Sequence, residues 1–105
     1  MNAKDLAIAR KFKELVVNKI AVRDVRVFGS RARDTAVKES DLDVLVTVIN
    51  LDHESERYIS DCAWEAGFPE DIVIVPIVVD AHEIEEGPLS VSPFIRAVQR
   101  EGISI

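Results

Sequence analysis

Between Val44 and Val46 the segment "DLDVLVTVI" (residues 41–49) runs apolar without a break. Strand side chains alternate between the two faces of a sheet. A strand of this kind has no polar face to turn to water, so both of its faces must be covered. Two other runs read as strands. "DVRVF" (24–28) places Val25 and Val27 on one face and ends at Gly29, where the chain must turn. "DIVIVPIVV" (71–79) is rich in β-branched residues, and its Pro76 lacks a ladder donor. That proline requires an edge position or a bulge.

The cover comes from helices. Leu6, Ala9, Phe12, Leu15, Val16 and Ile20 recur at steps of three and four between Asp5 and Ile20, the stripe of an amphipathic helix. "DHESERYISDCAWEAGF" reads as a second helix, capped by Asp52 or Ser55 and closed by Gly67. Ser92 and Pro93 set up a last helix, "PFIRAVQRE", which Gly102 stops. "SRAR" after Gly29 can start a short helix with Ser30 as its N-cap. "TAVKES" and "AHEIEEGPLSV" read as connections. The expected architecture is α/β (α+β): a small mixed sheet of three to four strands covered by helices. Residues 1–105 are expected to form one domain, since a chain this short buries roughly 60–70% of its unfolded surface.

Thirteen basic against nineteen acidic residues give a net charge of −6. Phosphate affinity comes mostly from Lys and Arg, so nucleic acid is a poor fit as a partner. A small anionic ligand held through a metal ion is not excluded. Cys62 has no second cysteine to pair with, and beside only His53 and His82 it makes a poor zinc site. Charges every few residues along "MNAKDLAIARKFKELVV" argue against a signal peptide or a membrane span, so a cytoplasmic protein is the expectation. Cys62 and Trp64 read as helix packing residues, and His53 and His82 as surface.

Asp41 and Asp43 fall on one face where the second long strand begins, about 7 Å apart. Two like charges so placed repel each other. They are either solvated acids at an exposed strand end or a pair that holds Mg²⁺ beside a substrate's phosphates. Gly29 and Ser30, eleven residues before Asp41, have a matching double reading. They form a strand-to-helix turn with its cap, or a cradle whose free N–H groups meet an anion. Together, a cradle at the end of one strand and a carboxylate pair at the start of the next make two halves of a site for a metal-bound triphosphate.

"FGSRARDTAVKESDLDVLV" resembles the signature of the DNA polymerase beta superfamily of nucleotidyltransferases: an apolar residue, Gly-Ser, roughly ten residues, then Asp-apolar-Asp on a strand. Its length and spelling are most similar to the minimal nucleotidyltransferases paired with HEPN toxins. The resemblance is close over residues 25–48 and looser elsewhere. It implies Gly29 and Ser30 as the phosphate-contacting turn, with Arg31 or Arg33 beside them. One arginine would meet phosphate while the other forms a structural ion pair, with Asp34, Glu39 or another acid. It also implies Asp41 and Asp43 as catalytic metal ligands. Active members use a third carboxylate on a later strand, for which Asp71 is the best candidate and Asp80 the weaker. Asp34 stands where the family often has glycine.

The function so implied is transfer of AMP from ATP, with two Mg²⁺ ions, to a hydroxyl of a partner protein. In the resembled group that partner is a HEPN toxin and the nucleotidyltransferase is its antitoxin. The first helix and the C-terminal "EGISI" are candidate partner surfaces. The alternative is a non-catalytic module that binds nucleotide or partner and neutralises by binding alone; a third is an oligomeric structural subunit.

Overall fold

The computed structural model describes residues 1–105. Helix α1 spans Ala3–Val17, and its first turn is closed by Asn2, whose side chain accepts a bond from the Asp5 N–H at 2.7 Å. Its buried stripe is Asp5, Ile8, Ala9, Phe12 and Val16. Leu6 and Leu15 only flank that stripe, and Ile20 lies beyond the helix end. Strands β1 (Val22–Phe28) and β2 (Leu42–Val48) are antiparallel. Helix α2 (His53–Gly67) follows, capped by Asp52, whose carboxylate accepts from the Ser55 N–H at 2.7 Å. A 3-10 turn at Phe68–Glu70 leads to β3 (Ile74–Asp80), parallel to β2. The short α3 (Ala81–Glu85) is followed by a 3-10 turn (Pro88–Val91), α4 (Pro93–Glu101) and β4 (Ile103–Ser104).

The sheet order is β3-β2-β1-β4, which makes β2 an interior strand, as its apolar run requires. Leu42, Val44, Val46 and Val48 join Val25, Val27 and Ile74 under α1 and α2. Leu45, on the opposite face, packs with Val79 and with Ile95 and Val98 of α4. Each face of β2 therefore has its own hydrophobic cluster, and the expected mixed α/β architecture is what forms.

β3 lies at the edge, where Pro76 is tolerated. The Leu42 N–H donates to the Val73 carbonyl at 2.9 Å. By alternation the odd-numbered residues of this segment turn their amides toward β2. Pro76 therefore faces the free edge, and its missing N–H costs the sheet no ladder bond.

Four expectations change. The turn after Gly29 is a single helical turn and not a helix: the Arg33 N–H donates to the Gly29 carbonyl and the Thr35 N–H to that of Ser30. The chain then leaves through Asp34 at φ +58°. "EGISI", a candidate partner surface by sequence, adds a strand to the sheet. Ile103 and Ser104 pair with Val27 and Arg26 of β1, and the Ile105 N–H donates to the Val25 carbonyl at 3.0 Å. The connection after β3 contains α3, capped by Asp80. Trp64 is not a packing residue: it is 68% exposed and stacks on Phe68 with ring centroids 4.8 Å apart. Cys62 is buried, and burial pushes its thiol up from the ordinary range. No helix is long and apolar enough to cross a membrane.

Candidate active site

Because β1 and β2 are antiparallel, the end of one and the start of the other fall at the same end of the sheet. Phe28 pairs with Asp43, so Gly29, the next residue, lies beside that carboxylate. Gly29 has φ +79°, and a Cβ built on it would stand 2.5 Å from Asp43 Oδ2. Only glycine allows the turn and the carboxylate to approach so closely. Arg33 donates the first backbone bond of this turn. The N–H groups of Ser30, Arg31 and Ala32 precede it, as at a helix start, and have no backbone acceptor within the turn.

Asp43 is half-buried and Asp41 exposed. Burial raises the Asp43 pKa from its ordinary value, the Asp41 charge raises it further, and the nearby Arg33 guanidinium partly offsets both. Asp43 is thus a desolvated carboxylate beside a like charge, and a hard divalent cation relieves both costs. The donor set fits one such ion, with phosphate and water oxygens completing its shell. α4 crosses this face of the sheet. A cleft of about 180 Å³ runs between the Gly29 turn and α4, lined by Phe28, Arg33, Phe94 and Glu101 among others. Phe94 meets Phe28 edge-on, with centroids 5.6 Å apart. The contribution of α4 to the site was not foreseen from the sequence, because nothing in "PFIRAVQRE" shows which face of the sheet it covers.

Two expected site residues lie elsewhere. Arg31 is 8% exposed, and its nitrogens are occupied by Asp5 and by the carbonyls of Ser40 and Lys38. It is the structural arginine of the pair, with Asp5 as its acid in place of Asp34 or Glu39, and each of its three nitrogens already holds a protein partner. Arg33 is the arginine at the carboxylates. Asp71 sits in the left-handed conformation (φ +56°) after the 3-10 turn, ahead of β3. It lines a separate hollow of about 280 Å³ with Trp64, Phe68 and Ile74, on the α2 side of the sheet. The β3 residue in register with Asp43 is Val75. No three His, Cys, Asp or Glu residues are grouped to hold a metal ion, and Asp71 is not gathered with Asp41 and Asp43. Asp80 is at the far end of β3, paired with Val48.

A tight turn with free N–H groups abutting a carboxylate pair, on a mixed sheet of this order, is the arrangement of a nucleotidyltransferase-type domain. The profile of the nucleotidyltransferase domain family matches residues 8–95, and the chain belongs to that family. Over 72 residues it is 35% identical to a Methanocaldococcus jannaschii protein with the provisional name protein adenylyltransferase, covering 64% of this chain and 70% of that one. Two solved structures share the fold. One is a Sulfolobus solfataricus protein provisionally named a nucleotidyltransferase, with a TM-score of 0.59 at 20% identity, covering 96% of this chain and 78% of that one. The other is a chain from a toxin–antitoxin structure with AMP-PNP, with a TM-score of 0.59 at 20% identity, covering 91% and 70%.

Proposed function

We propose that this protein binds ATP with a divalent cation, Mg²⁺ by its oxygen donors, and transfers AMP to a hydroxyl of a partner protein, breaking the bond between the α- and β-phosphates and releasing pyrophosphate and the hydroxyl proton. The observation that carries the proposal is the approach of Gly29 to Asp43, which sets a turn with free N–H groups against a carboxylate pair. Asp41 and Asp43 would hold the cation. Bound there, it would neutralise the triphosphate and lower the pKa of an attacking hydroxyl. The chain's own residues do the positioning. The backbone N–H groups of Ser30, Arg31 and Ala32 would donate to the terminal phosphates, and Arg33 adds a charge that offsets the phosphoanion.

The name of the 35% identical relative supports a protein acceptor. The antitoxin role, with a HEPN-type toxin as partner, rests on the sequence resemblance. The toxin–antitoxin neighbour is consistent with it through the fold.

A second reading has its own support. Val75 stands where a third carboxylate on β3 would face Asp43, which favours a module that binds metal–nucleotide or partner without turnover. Incubating the chain with ATP labelled at the α-phosphorus and an extract of its host separates the two. Label on a protein band, lost with Asp41→Asn/Asp43→Asn, supports transfer. Metal-dependent ATP binding with no labelled acceptor supports the binding module.

A further inference from the structure

Arg31 follows directly on the Gly29–Ser30 turn, and its buried guanidinium reaches three residues in two separate segments. Nη1 donates to both carboxylate oxygens of Asp5, at 3.0 and 3.1 Å, in the first turn of α1. Nη2 donates to the Lys38 carbonyl at 3.0 Å, and Nε to the Ser40 carbonyl at 2.8 Å. Lys38 and Ser40 belong to the exposed loop leading into β2, and the Ser40 carbonyl is part of the peptide bond to Asp41. Within itself that loop is closed by the Val37 N–H on Ser40 Oγ and the Ser40 N–H on the Val37 carbonyl, both at 3.0 Å. The hydrogen bonds that fasten it to the rest of the fold come from Arg31.

We propose that Arg31 is a positioning residue: its fork sets Asp41 and Asp43 relative to the Gly29–Ser30 turn by fixing the peptide just before Asp41. The proposal rests on the metal–nucleotide reading of that site. The chemistry requires arginine. A planar guanidinium can serve a carboxylate and two carbonyls at once, in fixed directions, whereas a lysine ammonium is a single point on a flexible stem. Asp5 has a distinct task. It neutralises the buried charge, while the two carbonyl bonds hold the loop.

The variants Arg31→Lys and Asp5→Asn of the full chain separate these tasks, with amide hydrogen exchange and binding of Mn²⁺–AMP-PNP as readouts. With Arg31→Lys, amides of residues 36–41 should exchange at least about tenfold faster while α2 and α4 keep their protection. Mn²⁺–AMP-PNP affinity should fall by about tenfold or more, and metal-free AMP-PNP affinity by less than about threefold. Asp5→Asn should lower the melting temperature yet leave loop exchange and Mn²⁺–AMP-PNP affinity within about threefold. Wild-type loop exchange in Arg31→Lys overturns the proposal. So does equal damage from Asp5→Asn, which would make Arg31 a stability residue only. If the wild-type chain does not bind Mn²⁺–AMP-PNP, the functional reading fails, and loop exchange alone then decides whether Arg31 is the clamp.

Discussion

Asp43 Oδ2 lies 2.5 Å from the point where Gly29 would carry a Cβ, so the turn and the carboxylate share one space that no side chain can enter. Gly29→Ala therefore meets two obstacles: the left-handed φ, at about 1–2 kcal/mol, and displacement of Asp43. Chemical denaturation should show a loss of that order, and calorimetry a loss of metal–nucleotide binding. Unchanged binding by a folded Gly29→Ala protein would show that the close approach has no part in the site.

Asp43 should be a residue kept at a cost to the free protein. Its folded pKa is raised, first by burial and then by Asp41. A raised carboxylate contributes stability that is full below its unfolded pKa of about 4 and is lost as pH rises through the folded value. At neutral pH Asp43 is therefore a burden. Asp43→Asn should raise the melting temperature at pH 7 by on the order of 1–2 °C while abolishing metal-dependent nucleotide binding. A variant less stable than wild type at pH 7 would contradict this account of the carboxylate pair.

Asp80 shows the opposite sign. The Leu51 N–H, and next the His82 N–H, hold its carboxyl below the usual range. The resulting stability is present above the unfolded pKa and disappears as pH falls through the folded one. Asp80→Ala should melt earlier than wild type at neutral pH, with the gap closing near pH 2. Thermal melts at both pH values check this, and a gap that persists in acid would assign the loss to packing.

Much of the fold was legible because it is periodic. The strands around Val25–Val27, Leu42–Val48 and Ile74–Val79 announce themselves by alternation and β-branching. Helices α1, α2 and α4 do so by stripe and cap. The pairing of Gly29–Ser30 with Asp41 and Asp43 could be read because both halves lie within fifteen residues. Contacts distant in sequence could not be read. Arg31 meets Asp5 across 26 positions, and β4 is only two residues long and exists because β1 offers it an edge. Asp71 was placed by its neighbours in sequence, but the left-handed turn takes it to the α2 side. The exposure of Trp64 was recoverable: Ser55, Ile59, Cys62, Ala63, Ala66 and Gly67 are the buried positions of α2, and Trp64 falls outside that stripe.

Asp34 at φ +58° accounts for the glycine that resembled sequences often place there. Aspartate tolerates this conformation better than most residues, yet glycine adopts it without penalty. The contact between the Met1 amine and Asp34 Oδ1, at 2.9 Å, is largely exposed on the Asp34 side and offsets little. Asp34→Gly should stabilise the protein by about 0.5–1 kcal/mol with nucleotide binding intact. Urea denaturation tests this, and a loss of stability would give the ion pair more weight than its exposure suggests.

The free edge of β3 also limits how the protein can aggregate. An unpaired strand invites another chain to add to the sheet, and long flat apolar edges are where fibrils start. Here Pro76 interrupts the outward row of donors at the third position of a seven-residue strand. An incoming strand finds at most a short run of amides on either side of the gap. The same residue that fits the fold only at an edge thereby keeps that edge from acting as a template.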